Sequence, residues 1–542
     1  MQVKQTWLAV LCIIALPLLV FFQSLSNEFV ALDDELLIID NPTSQGLSWA
    51  NVKRAFTTYD PELYIPLTLL TYQLEYALFG GFDPMVVHAT NLLLHVVNTL
   101  LVFLIFRRFF REYIALLCAL LFSVHPLVVE TVVWGAARKD LLSSMFFLSS
   151  VYLFLQWRNA RVTLTHGYWL SVSAFALGLL SKVSIALLPF MLLLLDWYKD
   201  GHVDRRSIRE KCPYFALAAL FVVIALFGKR AQVTDWGTLL LMPFVSVPFY
   251  IQKFFLPTKL AILYPFTDAV SFLNVRVLLG MFLLVGISVG AWLRLRRDRL
   301  WVALWLLFIF FLLPSFANVL KGSDSGSLDV YFASDRYAYL AILVPLFLVG
   351  VAMLRWHKTL YVTCTVTVLF AWLTYQQSMV WKNSERLFQN VIDHYSNSHL
   401  AYNNLAGFRA QEGKLSEAEE LYRQSLSVKE NPRALFSLGR VLVVQEKFTE
   451  AVPLFERYVA LQSHDGQGYS QLGGLVLLQG ETRRATKLLE RGRELDFNIP
   501  ELHYNLGVAY ERQGRMSDAH VSFENALNVQ PGYELARRKL ER

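Results

Sequence analysis

The sequence predicts an all-α protein in two parts: a polytopic membrane helix bundle of about eleven spans, then a helical-repeat solenoid. Three observations carry this. Hydrophobic residues make up 55% of the 542 and charged residues only 17%, a composition suited to lipid rather than water. Lys and Arg collect in short loops between apolar runs, where they set orientation. From about residue 399 the chain turns polar and repeats itself every 33 to 34 residues, the period of stacked helix pairs. The net charge of +7 resides largely in those short loops and gives no reason to expect nucleic acid as a partner.

The first apolar run, within 6–23, has no small-x-small cleavage site and reads as a retained helix. Further spans fall near 86–106, 113–130, 140–157, 167–181, 183–197, 212–228, 272–293, 300–314, 337–354 and 359–376. With the N-terminus inside, these put every basic cluster in the cytoplasm. The clusters are Arg107, Arg108 and Arg111; Arg158 and Arg161; Lys199 through Lys211; Arg294, Arg296, Arg297 and Arg299; and Arg355 with Lys358. The stretch 238–256 reads as a re-entrant or surface-lying helix, because a crossing there would turn Arg294–Arg299 outward. Odd parity then leaves the C-terminal part outside. The long loops, 24–84, 229–271 and 315–336, share that outer face, and Pro61, Pro66, Gly80, Gly81 and Pro84 punctuate the first. Cys12, Cys118, Cys212 and Cys364 lie in or beside apolar stretches without paired spacing and read as core thiols.

The expected domains are 1–376 in the membrane, a connecting helix or partial repeat over 377–398, and four repeats over 399–542. Ala418, Ala451, Ala485 and Ala519 recur at the repeat interval, after Leu405-Ala406, Leu438-Gly439, Leu472-Gly473 and Leu506-Gly507, and before Tyr422, Phe455, Leu489 and Phe523. Small residues let paired helices approach, and large ones fill the space between neighbours. The last unit, ELHYNLGVAYERQGRMSDAHVSFENALNVQP, resembles the tetratricopeptide repeat. Arrays of that kind bind peptides or proteins.

Within the membrane part, charge is the informative feature. Asp33, Asp34 and Glu35 follow the first span in FVALDDELLIIDNP; a carboxylate cluster at a membrane surface is costly to desolvate unless water, a cation or a reaction uses it. His88, Asn91, His95 and Asn98 line one helical face and suit interhelical hydrogen bonds. FSVHPLVVETVVWGAARKDLLS carries His125, Glu130, Arg138, Lys139 and Asp140. The His–Glu spacing is poor for a metal, so a charged network shaping a site is expected, with Asp335 and Tyr64 as further shaping residues. Lys182 interrupts LGLLSKVSIALLPF, either snorkelling or touching a phosphate. Arg336, in FASDRYAYLA, is the first choice for gripping a lipid phosphate, since guanidinium matches phosphate bidentately.

Taken in order, DDELLIIDNP, YIPLTLLTYQL, VHPLVVETV with RKDLL, LLSKVSIALLPFMLLLLDW, DRYAYL and the trailing repeats resemble the transmembrane and tetratricopeptide-repeat O-mannosyltransferases. These are relatives of the protein O-mannosyltransferases with the GT-C fold. The resemblance implies a polyprenyl-phosphate sugar as donor, an acceptor taken on the outer face, and a first-loop acidic pair at Asp33-Asp34. The chain departs from that family where its usual Gly-Arg-Ala/Glu-Asp stretch reads AARKD, and in its short solenoid. The expected reaction is inverting displacement, with Asp33 as base, Asp34 second, and Arg336, Arg138 and Lys182 stabilising the leaving phosphate. No cofactor is expected beyond a divalent cation near Asp33 and Asp34 as a minor alternative. The expected partners are the lipid-linked donor, a protein or peptide acceptor held by the repeats, and membrane lipid. Length and the lack of organelle signals point to a bacterial inner membrane with periplasmic repeats. A lipid-linked oligosaccharide ligase or polymerase, and a non-catalytic membrane scaffold, are the alternatives. Convergence of Asp33, Arg138 and Arg336 on one outward cavity would favour the enzyme.

Overall fold

The computed structural model describes residues 2–59, 63–159, 165–228, 236–316 and 330–541. Pro61, Arg161 and the loop stretches 229–235 and 317–329 lie outside the described residues. The chain forms two compact units that divide between His394 and Tyr395.

The first unit opens with α1 (Gln2–Phe21). The loop after it contains a single π-turn at Glu35–Ile39, then α2 (Trp49–Thr57) and α3 (Pro66–Phe79). The Ser48 hydroxyl caps α2 by accepting from the Asn51 amide at 3.1 Å, and Pro66 opens α3 where a missing N–H is harmless. α4 (Pro84–Phe106) starts the same way behind an Asp83 cap. α5 (Glu112–Ser123) bends by 54° into the segment that ends in α6 (Val129–Val133), because Pro126 cannot continue the helical hydrogen bonding. α7 (Arg138–Asn159), α8 (Thr165–Ser181), α9 (Leu188–Asp200) and α10 (Arg205–Gly228) follow. Then come α11 (Trp236–Leu241), α12 (Pro243–Phe255), α13 (Val275–Arg294) and α14 (Leu300–Phe316). α15 (Ala338–Ala341) bends into α16 (Leu343–Arg355), and α17 (Lys358–Val380) and α18 (Ser384–His394) close the unit. Among the described residues the only sheet is a two-residue antiparallel ladder, β1 (Pro265–Phe266) with β2 (Val330–Tyr331).

By length and composition, 5 described helices can cross a membrane, or up to 7 if each bent pair is one span. The other expected spans are the helices α7, α8, α9, α14 and α17, shorter or more polar than a free-standing span. Several of their polar groups bond inside the bundle. Ser150 and Ser171 hydroxyls lie 3.1 Å apart, and the Tyr214 hydroxyl donates to Ser171 at 2.7 Å, joining α7, α8 and α10. On α4, Asn91 donates to the Trp134 carbonyl at 2.9 Å, His95 meets the Tyr339 hydroxyl at 2.8 Å, and Asn98 donates to the Leu141 carbonyl at 3.1 Å. Trp236–Phe255 is long and apolar enough to cross. Tyr250 and Tyr264 nevertheless bond adjacent residues, Ser334 at 2.9 Å and Asp335 at 2.8 Å. The chain leaving α12 therefore returns to the segment that α12 already touches. α18 belongs to this first unit: Asn390 donates to the Leu260 carbonyl at 2.9 Å, and the Ser384 hydroxyl accepts from the Ala31 amide at 2.8 Å.

The second unit is a solenoid of helix pairs: α19 (His399–Gln411) with α20 (Leu415–Val428), α21 (Pro432–Val444) with α22 (Phe448–Leu461), α23 (Gly466–Leu478) with α24 (Thr482–Leu495), and α25 (Pro500–Arg512) with α26 (Met516–Val529). α27 (Glu534–Leu540) covers the last pair. The repeat pattern is a packing rule. A Cβ on Gly439 would stand 2.7 Å from the Phe455 ring, and one on Gly507 2.6 Å from Phe523, so glycine is what lets each pair close.

Candidate active site

The acidic loop is fastened to the bundle through Asp34. Its carboxylate accepts from the Val30 amide at 3.0 Å and the Ala136 amide at 2.7 Å. The second contact needs Gly135, where a Cβ would meet the Asp34 oxygen at 3.0 Å. Burial pushes the Asp34 carboxyl up to about 7, against the pull of both amides. Gly135 is fixed in turn by Tyr72, whose hydroxyl donates to its carbonyl at 2.9 Å. Asp34 is thus an anchor, and its neighbour Asp33 is the carboxylate left outward, with 48% of its side chain exposed and an ion pair to Lys139 at 3.2 Å.

Around that pair stand two more. Arg336 pairs with Glu130 at 2.6 Å, and Glu130 also accepts from the Ser334 hydroxyl at 3.2 Å and the Asp335 amide at 2.9 Å. Lys182 pairs with Asp140. The Trp134 ring joins the first two systems: the Arg336 guanidinium lies 5.1 Å from its centroid and the Lys139 ammonium 5.6 Å. Tyr337 links the third, with Arg336 at 5.3 Å and Lys182 at 5.6 Å from its ring. Asp33 and Asp140 both lie within electrostatic reach of Arg336. Asp140, Arg336 and Tyr337 line one end of a cavity whose other end is Phe147, Met191 and Phe311. Those three apolar residues also line a wholly hydrophobic groove that continues between α7, α9, α14 and α16. A polar head end and an apolar tail end suit an amphiphile.

Arg138 departs from the sequence-based expectation. It is fully buried, paired with Glu75 at 2.7 Å, donating to Asn91 at 3.0 Å and to the Val87 carbonyl at 3.0 Å, and stacked on Tyr72. Its guanidinium holds α3, α4 and α7 together. Tyr64 touches Phe56, Tyr59 and Phe221, away from the ion pairs. His125 uses both ring nitrogens on backbone, taking the Leu127 amide at 3.2 Å and meeting the Phe254 carbonyl at 3.1 Å, so it caps a turn. Asp335 accepts from Tyr264 and supports the Glu130 contact. Each Asp34 oxygen accepts one backbone amide. Among the described residues, no group of three or more His, Cys, Asp or Glu could hold a metal. Lys139 was expected only as part of a charged network, and Trp134 was missed as a site residue. The signal was their place in VVWGAARKD, between two residues already singled out.

The same elements match known proteins. Residues 65–228 match the profile of the dolichyl-phosphate-mannose-protein mannosyltransferase family, and residues 399–432 and 500–533 match tetratricopeptide repeats. The membrane part is thus similar to protein O-mannosyltransferases, and the C-terminal part to tetratricopeptide repeats. Mouse protein O-mannosyl-transferase TMTC4 is 32% identical over 195 residues, 30% of this chain and 26% of the relative. Fruit-fly Tmtc2 is 29% identical over 224 residues, 38% of this chain and 23% of that protein. The match thus spans about a quarter of the length of these O-mannosyltransferases. Among solved structures, the tetratricopeptide-repeat protein YrrB, described as having an unusual peptide-binding site, is 23% identical over 32% of this chain and 89% of its own, with a TM-score of 0.28.

Proposed function

We propose that this protein is a membrane glycosyltransferase that moves a hexose, mannose by kinship, from a polyprenyl-phosphate donor to a protein hydroxyl. One observation carries the reading: a half-exposed carboxylate, Asp33, stands near a cation, Arg336, at the polar end of a cavity that continues as an apolar groove. A lipid-linked sugar fits that order, with its chain in the groove, its phosphate at Arg336 and its anomeric carbon toward Asp33. Asp33 takes the proton from the acceptor hydroxyl as that oxygen bonds the anomeric carbon. The bond from that carbon to the phosphate oxygen breaks, and the electron pair leaves on the phosphate, stabilised by Arg336 with Lys182 nearby. Attack opposite the leaving group inverts the anomeric centre. Glu130 keeps Arg336 aimed, and the ion pair to Lys139 holds Asp33 in place before the acceptor arrives.

In this reading the site works on the face opposite the basic loops, and the solenoid collects acceptor segments. The test is transfer from a mannosyl-phosphoryl-polyprenol to a Ser/Thr peptide by full-length protein in proteoliposomes. Wild-type transfer with an inverted product, lost in Arg336→Gln, supports the proposal. Absence of transfer from every polyprenyl-phosphate hexose by well-folded protein overturns it.

A further inference from the structure

A second apolar groove lies on the other side of α14 and α16 from the one just described, with Leu304 and Val344 lining both. It is bounded by α12, α13, α14 and α16, with Phe254 and Phe255 at one end and Arg294 with Trp301 at the other. Its volume is about 420 Å³, room for hydrocarbon rather than a few waters. Arg294 is the one charged residue in its lining. The guanidinium sits 5.1 Å from the Trp301 ring centroid, and among the described residues it makes no ion pair. Arg294 ends α13 beside the exposed Arg296 and Arg297, so this end of the groove faces the basic-loop side of the membrane. An apolar cleft closed by an unpaired arginine on a tryptophan, at the level where the loops turn basic, is complementary to an acyl chain ending in an anionic headgroup.

We propose that this groove is a binding site for one anionic glycerophospholipid of the leaflet on the basic-loop side, its acyl chain along Leu304 and Phe308 and its phosphate on Arg294. The lipid supports the α14–α16 wall from behind, independently of any transferase reaction. Gly290 supplies a clean test, because it lines the groove and a Cβ there meets nothing within 4 Å. A larger side chain at 290 starts from that open position and grows into the groove.

Delipidated full-length protein is given phosphatidylglycerol or phosphatidylcholine with identical acyl chains, and retention is read by native mass spectrometry. The expected result is one tightly held phosphatidylglycerol, preferred over phosphatidylcholine about fivefold, the contribution of one basic residue at a lipid surface. Arg294→Gln should abolish the preference, and Gly290→Phe should remove the bound lipid altogether while the protein keeps its circular-dichroism spectrum. Equal retention of the two lipids, or phosphatidylglycerol binding untouched by both variants, overturns the proposal. So does displacement of the lipid by stoichiometric polyprenyl phosphate, which would make the groove part of the donor site.

Discussion

Two clusters of charge are built into this apolar bundle, and they are organised differently. On the basic-loop side Arg158 pairs with Asp196 at 3.3 Å, Asp200 at 2.8 Å and Glu210 at 2.8 Å. Lys211 pairs with Asp196, and its ammonium lies 4.9 Å from the Phe154 ring. The heart of that cluster is closed: Lys211 has no exposed side-chain surface and Asp196 has 4%. Its exposed carboxylate, Asp200, lies where α9 meets its loop. The other cluster also pairs its buried cations Arg336, Lys182 and Lys139 with carboxylates, yet Arg336 and Asp140 line a cavity, and the exposed carboxylate Asp33 lies within electrostatic reach of Arg336. Pairing is what any buried ion needs. What marks the candidate site is the opening next to it.

The sharpest way to break the comparison is to neutralise the exposed carboxylate in each. Asp33→Asn should lower transfer by about 10²–10⁴-fold, the usual contribution of a general base, with thermal stability within about 0.5 kcal/mol of wild type. Asp200→Asn should leave transfer unchanged. Equal losses in a proteoliposome assay would erase the distinction between the clusters.

The reverse experiment targets the closed cluster. Lys211→Met leaves Asp196 without its nearest cation and should destabilise the fold by about 3–5 kcal/mol, toward the low end because Arg158 remains. Adding Asp196→Leu should recover much of that loss. Transfer per folded molecule should not move in either variant. Melting in detergent, paired with active-site titration, separates the two effects. A Lys211→Met protein that melts normally but transfers poorly would make the basic-side cluster part of the machinery.

How far the sequence reveals this difference depends on the residue. The repeats were legible because Gly439 and Gly507 obey a local packing rule repeated in register. Asp33 and Arg336 stood out because charge beside a span demands a reason, but their partners Lys139 and Glu130 were not legible as such. Arg138 misled because sequence gives charge but not enclosure: its partners Glu75, Asn91 and the Val87 carbonyl come from α3 and α4. Asp34 looked equivalent to Asp33, and only the amides of Val30 and Ala136 distinguish anchor from exposed acid. The basic-side cluster read as simple orientation signal, since nothing in Arg158 or Lys211 announces the acids they meet.

A third measurement separates the two aspartates by pH. The Asp34 carboxyl is raised by burial from 3.8 to about 7. A raised carboxyl binds its proton more tightly folded than unfolded, so its contribution to stability is complete below about pH 4 and is lost as pH climbs through about 7. Melting temperature should therefore fall across that window in wild type and fall less steeply in Asp34→Asn, whose amide cannot ionise. Asp33→Asn should keep the wild-type slope. Identical slopes in all three proteins would remove Asp34 as the titrating anchor.

The smallest effect should come from Gly135→Ala, and it tests whether position alone matters at the open cluster. The added Cβ would lie 3.0 Å from the Asp34 oxygen and 3.2 Å from Ile38, so the acidic loop must give by a few tenths of an ångström. Asp33 is the next residue in that loop, and its distance to Arg336 moves with it. Overpacking of this kind costs roughly 1–3 kcal/mol where nothing yields, but one face of this loop is solvent, so the loop can shift. The expected result is a several-fold drop in kcat for transfer, with donor KM and melting temperature nearly unchanged, because the groove and the Glu130–Arg336 pair are untouched. A drop in stability without a change in kcat would instead mean that the loop holds its place and that Asp33 does not depend on Asp34 for its aim.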